Sequence, residues 1–363
     1  MKPTPLSERI VSLPKAELHL HLEGSIQPPT VCALTRRHGV VFTEQEVRQR
    51  YAYQNFDEFL EVFKWVTSFL RNPQDYALIT RDLAEHLLTQ GVVYAEITLS
   101  IGIMLLRKQR VEANFEAILA AAEPFASRGL RMNWIFDAVR QFGAEAAMRV
   151  VESAERCASK SIVAFGIGGD ELSIATKEFQ PIYDKAAAIG LHRLMHAGEV
   201  GGPEKIREAI ELLGAERIGH GIAAIHDRAL MDVLADRRIP LEICPQSNIR
   251  TGALARQFSR NASQRSPRTA ARRLSSSATR SRSSAAPRQP SSASARIEDH
   301  PLPKLFRHGI PVVLSTDDPA MFHTTLLEEY HHAHRMGLTE SELTRLAQMS
   351  FDHAFAPPPD RPA

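Results

Sequence analysis

Eight short β-rich runs recur along the chain, separated by text whose apolar residues fall at helical spacing. The runs are AELHLHL (16–22), VVYAEITLS (92–100), RMNWIFDAV (131–139), SIVAFGIGG (161–169), LHRLMHAG (191–198), ERIGHGI (216–222), IPLEICP (239–245) and IPVVLSTDD (310–318). After the first of them, NFDEFLEVFKWVTSFL sets Phe56, Phe59, Leu60 and Phe63, with Val62 or Val66, on one stripe behind an Asn55 cap with Glu58 three residues on. The last helix opens on the capping box TESE, Thr339 to Glu342, and is stopped by the prolines after Phe355. Eight strand–helix units predict an α/β chain folded as a single (β/α)8 barrel over residues 1–363, with extra helices, in preference to a doubly wound sheet.

In such a barrel the C-terminal ends of the strands form the active-site rim. The unusual polar residues fall there. His19 and His21 close strand one, Gly168, Gly169 and Asp170 strand four, His196 and Glu199 strand five, His220 strand six, and Asp317 and Asp318 strand eight. Singly, each has a dull explanation: HAGE opens a helix, GH is a satisfied core histidine, TDDP caps a turn. Their collection at one rim is what calls for a chemical reading.

Composition changes the picture at one place. Hydrophobic residues at 44% and charged residues at 24% are ordinary globular values. Between Arg256 and Arg296, however, stand ten arginines, twelve serines, no lysine and no acid; set against the chain's +2, these leave −8 for the remainder. Such text cannot bury enough apolar surface to fold alone, so 256–296 reads as a disordered, low-complexity Arg/Ser-rich insert between strands seven and eight. It is either an inert insertion or an out-of-frame reading of GC-rich DNA. Nucleic-acid binding through it is the alternative from another functional class, disfavoured because no aromatic for base stacking follows Phe258 within it. The three cysteines, Cys32, Cys157 and Cys244, form no CxxC pair, which argues against a disulfide framework or a cysteine zinc site. No run reaches the roughly 18 apolar residues of a membrane span, and MKPTPLSERIVSLPKAE lacks a signal-peptide core. The expectation is a soluble, cytoplasmic protein without a membrane partner.

Alternate residues of a strand share a face, so His19 and His21 project together, as two ligands of one metal must. Three imidazoles and a carboxylate suit a borderline divalent ion such as zinc, and His19, His21, His196 and Asp317 are the expected ligands. Glu199, His220 and Asp318 are then titratable groups beside the metal. Zinc lowers the pKa of bound water toward about 7, His220 can orient or deprotonate that water, and Glu199 can deliver a proton to the other end of the reacting bond. The reaction described is hydrolysis.

Together and in order, HLHLEGS, GGDE, HAGE, RIGHG, CPQSN and STDDP resemble the adenosine deaminase family over essentially the whole chain outside the insert. The resemblance implies one zinc per chain, water activated there adding to C6 of a 6-aminopurine, protonation of N1 and loss of ammonia. It implies that His19, His21, His196 and Asp317 hold the zinc, that Glu199 is the proton donor and that His220 steers the nucleophile. It further implies that the Gly169 N–H meets N3 and that Asp318 meets N7. The lysine that bridges two metals in related amidohydrolases has no counterpart in GIGGDE, and the cysteine pattern of cytidine and tRNA deaminases is absent. The first motif departs from that of enzymes acting on adenosine, which carry aspartate where this chain has Glu23, near the ribose 5′-hydroxyl. Glu23, two residues past His21, is expected to continue the strand face into the cleft beside the sugar. Relatives that deaminate adenine, or adenosines with large 5′ groups such as aminodeoxyfutalosine, carry the glutamate form; a 5′-substituted adenosine is the expectation, with adenosine or adenine as alternatives.

Overall fold

The computed structural model describes residues 6–53, 55–264 and 295–357. Every run expected to be a strand is one: β1 (Lys15–His21), β2 (Val92–Leu99), β3 (Arg131–Val139), β4 (Ile162–Gly168), β5 (His192–Ala197), β6 (Arg217–His220), β7 (Leu241–Ile243) and β8 (Val312–Leu314). They form one sheet in chain order with every neighbouring pair parallel. Parallel neighbours need crossover connections, which the helices supply. A single helix, Gly143–Cys157, joins β3 to β4, whereas four, Pro28–Arg37, Glu44–Tyr51, Phe56–Thr67 and Pro73–Thr89, lie between β1 and β2.

The sheet meets itself at one residue just beyond β8. The Asp317 carbonyl accepts the His21 N–H at 2.8 Å, and the Asp317 N–H donates to the His19 carbonyl at 3.0 Å. This is a (β/α)8 barrel with additional helices. The expected caps are present: Asn55 Oδ1 accepts from the Glu58 N–H at 2.9 Å, and Thr339 and Glu342 form the reciprocal box.

One expectation needs correction. The opening of the Arg/Ser-rich segment, through Gln264, belongs to a helix, Ala253–Gln264, and only 265–294 lie outside the described residues. The helix is anchored by buried Leu254, and by Gln257, which donates to the Glu199 and Gly201 carbonyls at 2.7 and 2.9 Å. The expectation of disorder for the rest of the insert falls on residues outside those described. No described helix is long and apolar enough to cross a membrane.

Two features of the barrel interior bear on the rim. In β1, Glu17 pairs with Ala95 and Leu20 with Ile97, so β1 carries one extra residue, a β-bulge. Ala16 and Leu18 pack with Tyr94 and Val313, and the extra residue lets His19 and His21 follow them onto the inner side. Below the histidines runs a buried ion chain, in which Arg217 meets Glu96 at 2.6 Å and Glu242 at 2.5 Å. The segment after the last helix closes the floor: Phe355 lies 3.6 Å under the Arg217 guanidinium and donates its N–H to Glu96.

Candidate active site

The rim gathers the expected residues. Single ligand atoms of His19, His196, His220 and Asp317 all lie within 4.8 Å of one another. His21 lies beside this cluster, its Nε2 3.3 Å from Asp317 Oδ1 and its ring 5.6 Å from that of His196, although the set of four within 4.8 Å holds His220 in its place. Small residues make the room. A Cβ at Gly219 would stand 3.0 Å from His19 Cε1, and one at Gly168 would stand 3.3 Å from His196 Cε1.

Gly219 therefore faces the barrel interior, and plain strand alternation would turn His220 outward. His220 escapes this through a left-handed backbone, φ 62°, and Asp317 adopts the same region at φ 68°. Such conformations cost about 1–3 kcal/mol for non-glycine residues and persist only where the surroundings enforce them. Here Ser247 donates to Asp317 Oδ2 at 2.7 Å, and Asn248 meets His220 Nδ1 at 3.1 Å.

His19 is oriented from below. Its Nδ1 lies 2.7 Å from Glu242 Oε2, and Arg217 holds the Glu242 carboxyl below its usual range despite burial. That bond takes Nδ1 and aims Nε2, buried and otherwise unpartnered, at the cluster's centre, where Asp317 Oδ1 is 3.6 Å away. Burial opposes a charge on His19, yet Asp317 and Glu242 outweigh it and push the imidazole up to about 10. Burial pushes His21 down to about 4 and His196 well below its ordinary value. Asp317, though buried, is held far below the carboxylate range by His19, His220 and His21. An ionised carboxylate, two neutral imidazoles and, on His19, a nitrogen whose proton a bound cation would displace all face one point; that is the donor set of a cation, and the residues present fit zinc.

Glu199 faces His220 across 3.6 Å, with Thr251 donating to its other oxygen at 3.2 Å. Burial, with Asp317 and Glu171 nearby, pushes its carboxyl up to about 8, so it carries its proton at neutral pH. The loop bearing it is tied by Glu171, which accepts the Gly198 N–H and those of Val200 and Gly201 at 2.9 and 2.7 Å. Asp318, buried and beside Asp317, is likewise raised, and its Oδ1 is unpartnered. It presses on the HLEGS turn so closely that a Cβ at Gly24 would sit 1.6 Å from Asp318 Oδ1. Gly169 follows β4 at φ 96°.

Glu23 departs from expectation. β1 ends at His21, and Glu23 opens a 3-10 turn, Glu23–Ser25, with its carboxylate buried against β2's end. Both oxygens are taken, by the Ser100 N–H and Oγ at 3.1 Å each.

Glu171, Glu242, Ser247, Asn248 and Thr251 were not singled out from the sequence. Glu242 had a signal, as an acid inside the apolar run IPLEICP, and CPQSN already contained Ser247 and Asn248.

The adenosine deaminase family profile matches residues 14–260 and 273–363. An aminodeoxyfutalosine deaminase of Streptomyces coelicolor is 35% identical over 99% of this chain and 84% of its own. An adenine deaminase of Bordetella parapertussis is 32% identical over 95% and 98%. Among solved structures, an adenine deaminase of Arthrobacter aurescens superimposes with a TM-score of 0.77 at 27% identity, covering 94% of each chain.

Proposed function

The chain belongs to the adenosine deaminase family, and from that premise we propose that it is a zinc-dependent hydrolytic deaminase of a 6-aminopurine nucleoside, preferring a 5′-substituted adenosine such as aminodeoxyfutalosine. Purine deamination is the activity named for its relatives. The observation that carries the reading is a neutral carboxyl, Glu199, held beside His220 and a buried cluster of histidines and Asp317 fit for a cation.

Zinc bound by His19, His21, His196 and Asp317 supplies a Lewis acid that makes water nucleophilic near neutral pH. The protein's own groups do the rest. His220 and Asp317 position water against C6. Glu199 gives its proton to N1, which lets the ring accept the electron pair displaced from C6. A purine offers only acceptors at N1, N3 and N7; the Glu199 carboxyl and the Gly169 N–H are donors to match the first two, and burial beside Asp317 raises the Asp318 carboxyl toward the form that could donate to the third. The proton that the attacking water gives up passes to the C6 amino group, and collapse of the tetrahedral carbon then expels ammonia.

The 5′ preference rests on Glu23. The carboxylate is buried in its turn with each oxygen already accepting from Ser100, so it is not presented to a 5′-hydroxyl, and plain adenosine forfeits that bond. The test is kcat/KM across adenine, adenosine and aminodeoxyfutalosine, followed by the absorbance change. The 5′-extended substrate should lead adenosine by roughly ten- to a hundredfold, the worth of one buried hydrogen bond. Adenine in the lead would establish the second reading, adenine deamination, which the Bordetella relative favours.

A further inference from the structure

Behind His220 stands a row of buried side chains that the scheme above leaves unused. The Leu302 N–H donates to His300 Nδ1 at 3.1 Å, His300 Nε2 lies 3.2 Å from Asn248 Oδ1, and Asn248 Nδ2 lies 3.1 Å from His220 Nδ1. His300, Asn248 and His220 are all buried, so each of these polar atoms has only its protein neighbours to bond with.

The direction of these bonds follows from their first member. A backbone amide can only donate, so His300 Nδ1 accepts and the proton of the neutral ring is on Nε2. That proton needs an acceptor, so Asn248 turns its oxygen to His300 and its NH2 to His220. An amide's oxygen and nitrogen are otherwise interchangeable, but here the backbone decides. His220 Nδ1 then accepts, and its ring proton must be on Nε2. That is the atom 3.6 Å from Glu199 and 3.9 Å from Asp317 Oδ2.

We propose that His300 and Asn248 are positioning residues that lock His220 in its Nε2–H tautomer, so that it meets the attacking water as a hydrogen-bond donor and not as the base. The kinetic consequence rests on the deaminase reading, whereas the tautomer does not. His300 reaches its place from the far side of the Arg/Ser-rich segment, two residues before the helix Leu302–Arg307.

The test uses the full-length, zinc-loaded protein with 15N-labelled histidine, whose two-bond 15N–1H correlations report the tautomer of each ring. His220, assigned by its loss in His220→Gln, should show a protonated Nε2 and a bare Nδ1. Asn248→Asp replaces the donating NH2 with an acceptor, which should draw the proton to Nδ1, lower kcat on the order of a hundredfold and leave KM and zinc content within about threefold. His300→Leu frees the amide to turn and should give a mixture; His300→Gln, which still offers an N–H to Asn248, should restore a single tautomer and most of the lost kcat. A His220 with its proton on Nδ1 in the unaltered protein, or an Asn248→Asp variant with unchanged correlations, overturns the proposal. If no purine is deaminated the function reading fails, and the spectra still decide the tautomer.

Discussion

Glu199 illustrates how much of a residue's chemistry is set by what surrounds it. A glutamate is ordinarily ionised at pH 7, but burial and the neighbouring Asp317 and Glu171 keep this one protonated up to about pH 8. Activity that needs the protonated form should therefore fall above about pH 8, approaching tenfold per unit, which a pH profile of kcat/KM measures. Glu199→Gln keeps shape and hydrogen bonding but has no acidic proton; kcat should drop roughly a thousandfold with zinc content, read by elemental analysis, unchanged. His19→Ala should do the reverse and lose the metal itself, because it removes the nitrogen that Glu242 aims at the centre. A His19→Ala protein with full zinc and full activity would refute the ligand assignment.

At the scale of elements, much of this was legible in advance and some was not. Strand periodicity and the clustering of His, Glu and Asp at run ends located all eight strands and the rim. It did not reveal the bulge in β1, because AELHLHL alternates apolar and polar residues without a break across it. Nor did it reveal that Glu23 leaves the strand, since alternation cannot foresee that Ser100 at the end of β2 takes both its oxygens. His220 points inward through a left-handed backbone that a strand pattern hides. His300 is invisible for another reason: its partner Asn248 lies 52 residues away across low-complexity text. The same layout argues for an economical test of the insert. Gln257 and Arg260 on one side and His300 on the other make the contacts with the site, at the Glu199, Val200 and Asn248 positions. Replacing 265–294 with a flexible Gly/Ser linker of about ten residues should then leave kcat/KM within about threefold. Loss of the fold, seen by circular dichroism, would give the segment a structural role.

Across the whole molecule, the protein spends buried charge where other barrels place apolar side chains, and its stability should depend on pH accordingly. Glu199, Asp137 and Glu329 are raised to about 8 chiefly by burial, and His19 to about 10 because Asp317 and Glu242 outweigh its burial. Each binds a proton in the folded chain at a pH where the unfolded chain has released it. The stability these groups contribute is thus present at low pH and lost as pH rises through the folded values. The depressed histidines, His21, His196, His220 and His300, act below their unfolded value of about 6.5 and are silent above it. Between pH 6.5 and 8 the resolved shifts at these sites agree in sign, and the melting temperature of the chelated protein should fall steadily by scanning fluorimetry. A flat or rising profile would contradict the assigned shifts. The seam of the barrel carries a different consequence, one of timing. His19 and His21 leave a ribosome long before Asp317, which is both their carboxylate partner and the residue that stitches the ring shut. A nascent chain cannot assemble this cluster of histidines and Asp317 piecemeal. Ring closure and high zinc affinity should arrive in one step, so a chain truncated before β8 should hold zinc no better than a loose His-x-His peptide, by competition with a chromogenic chelator.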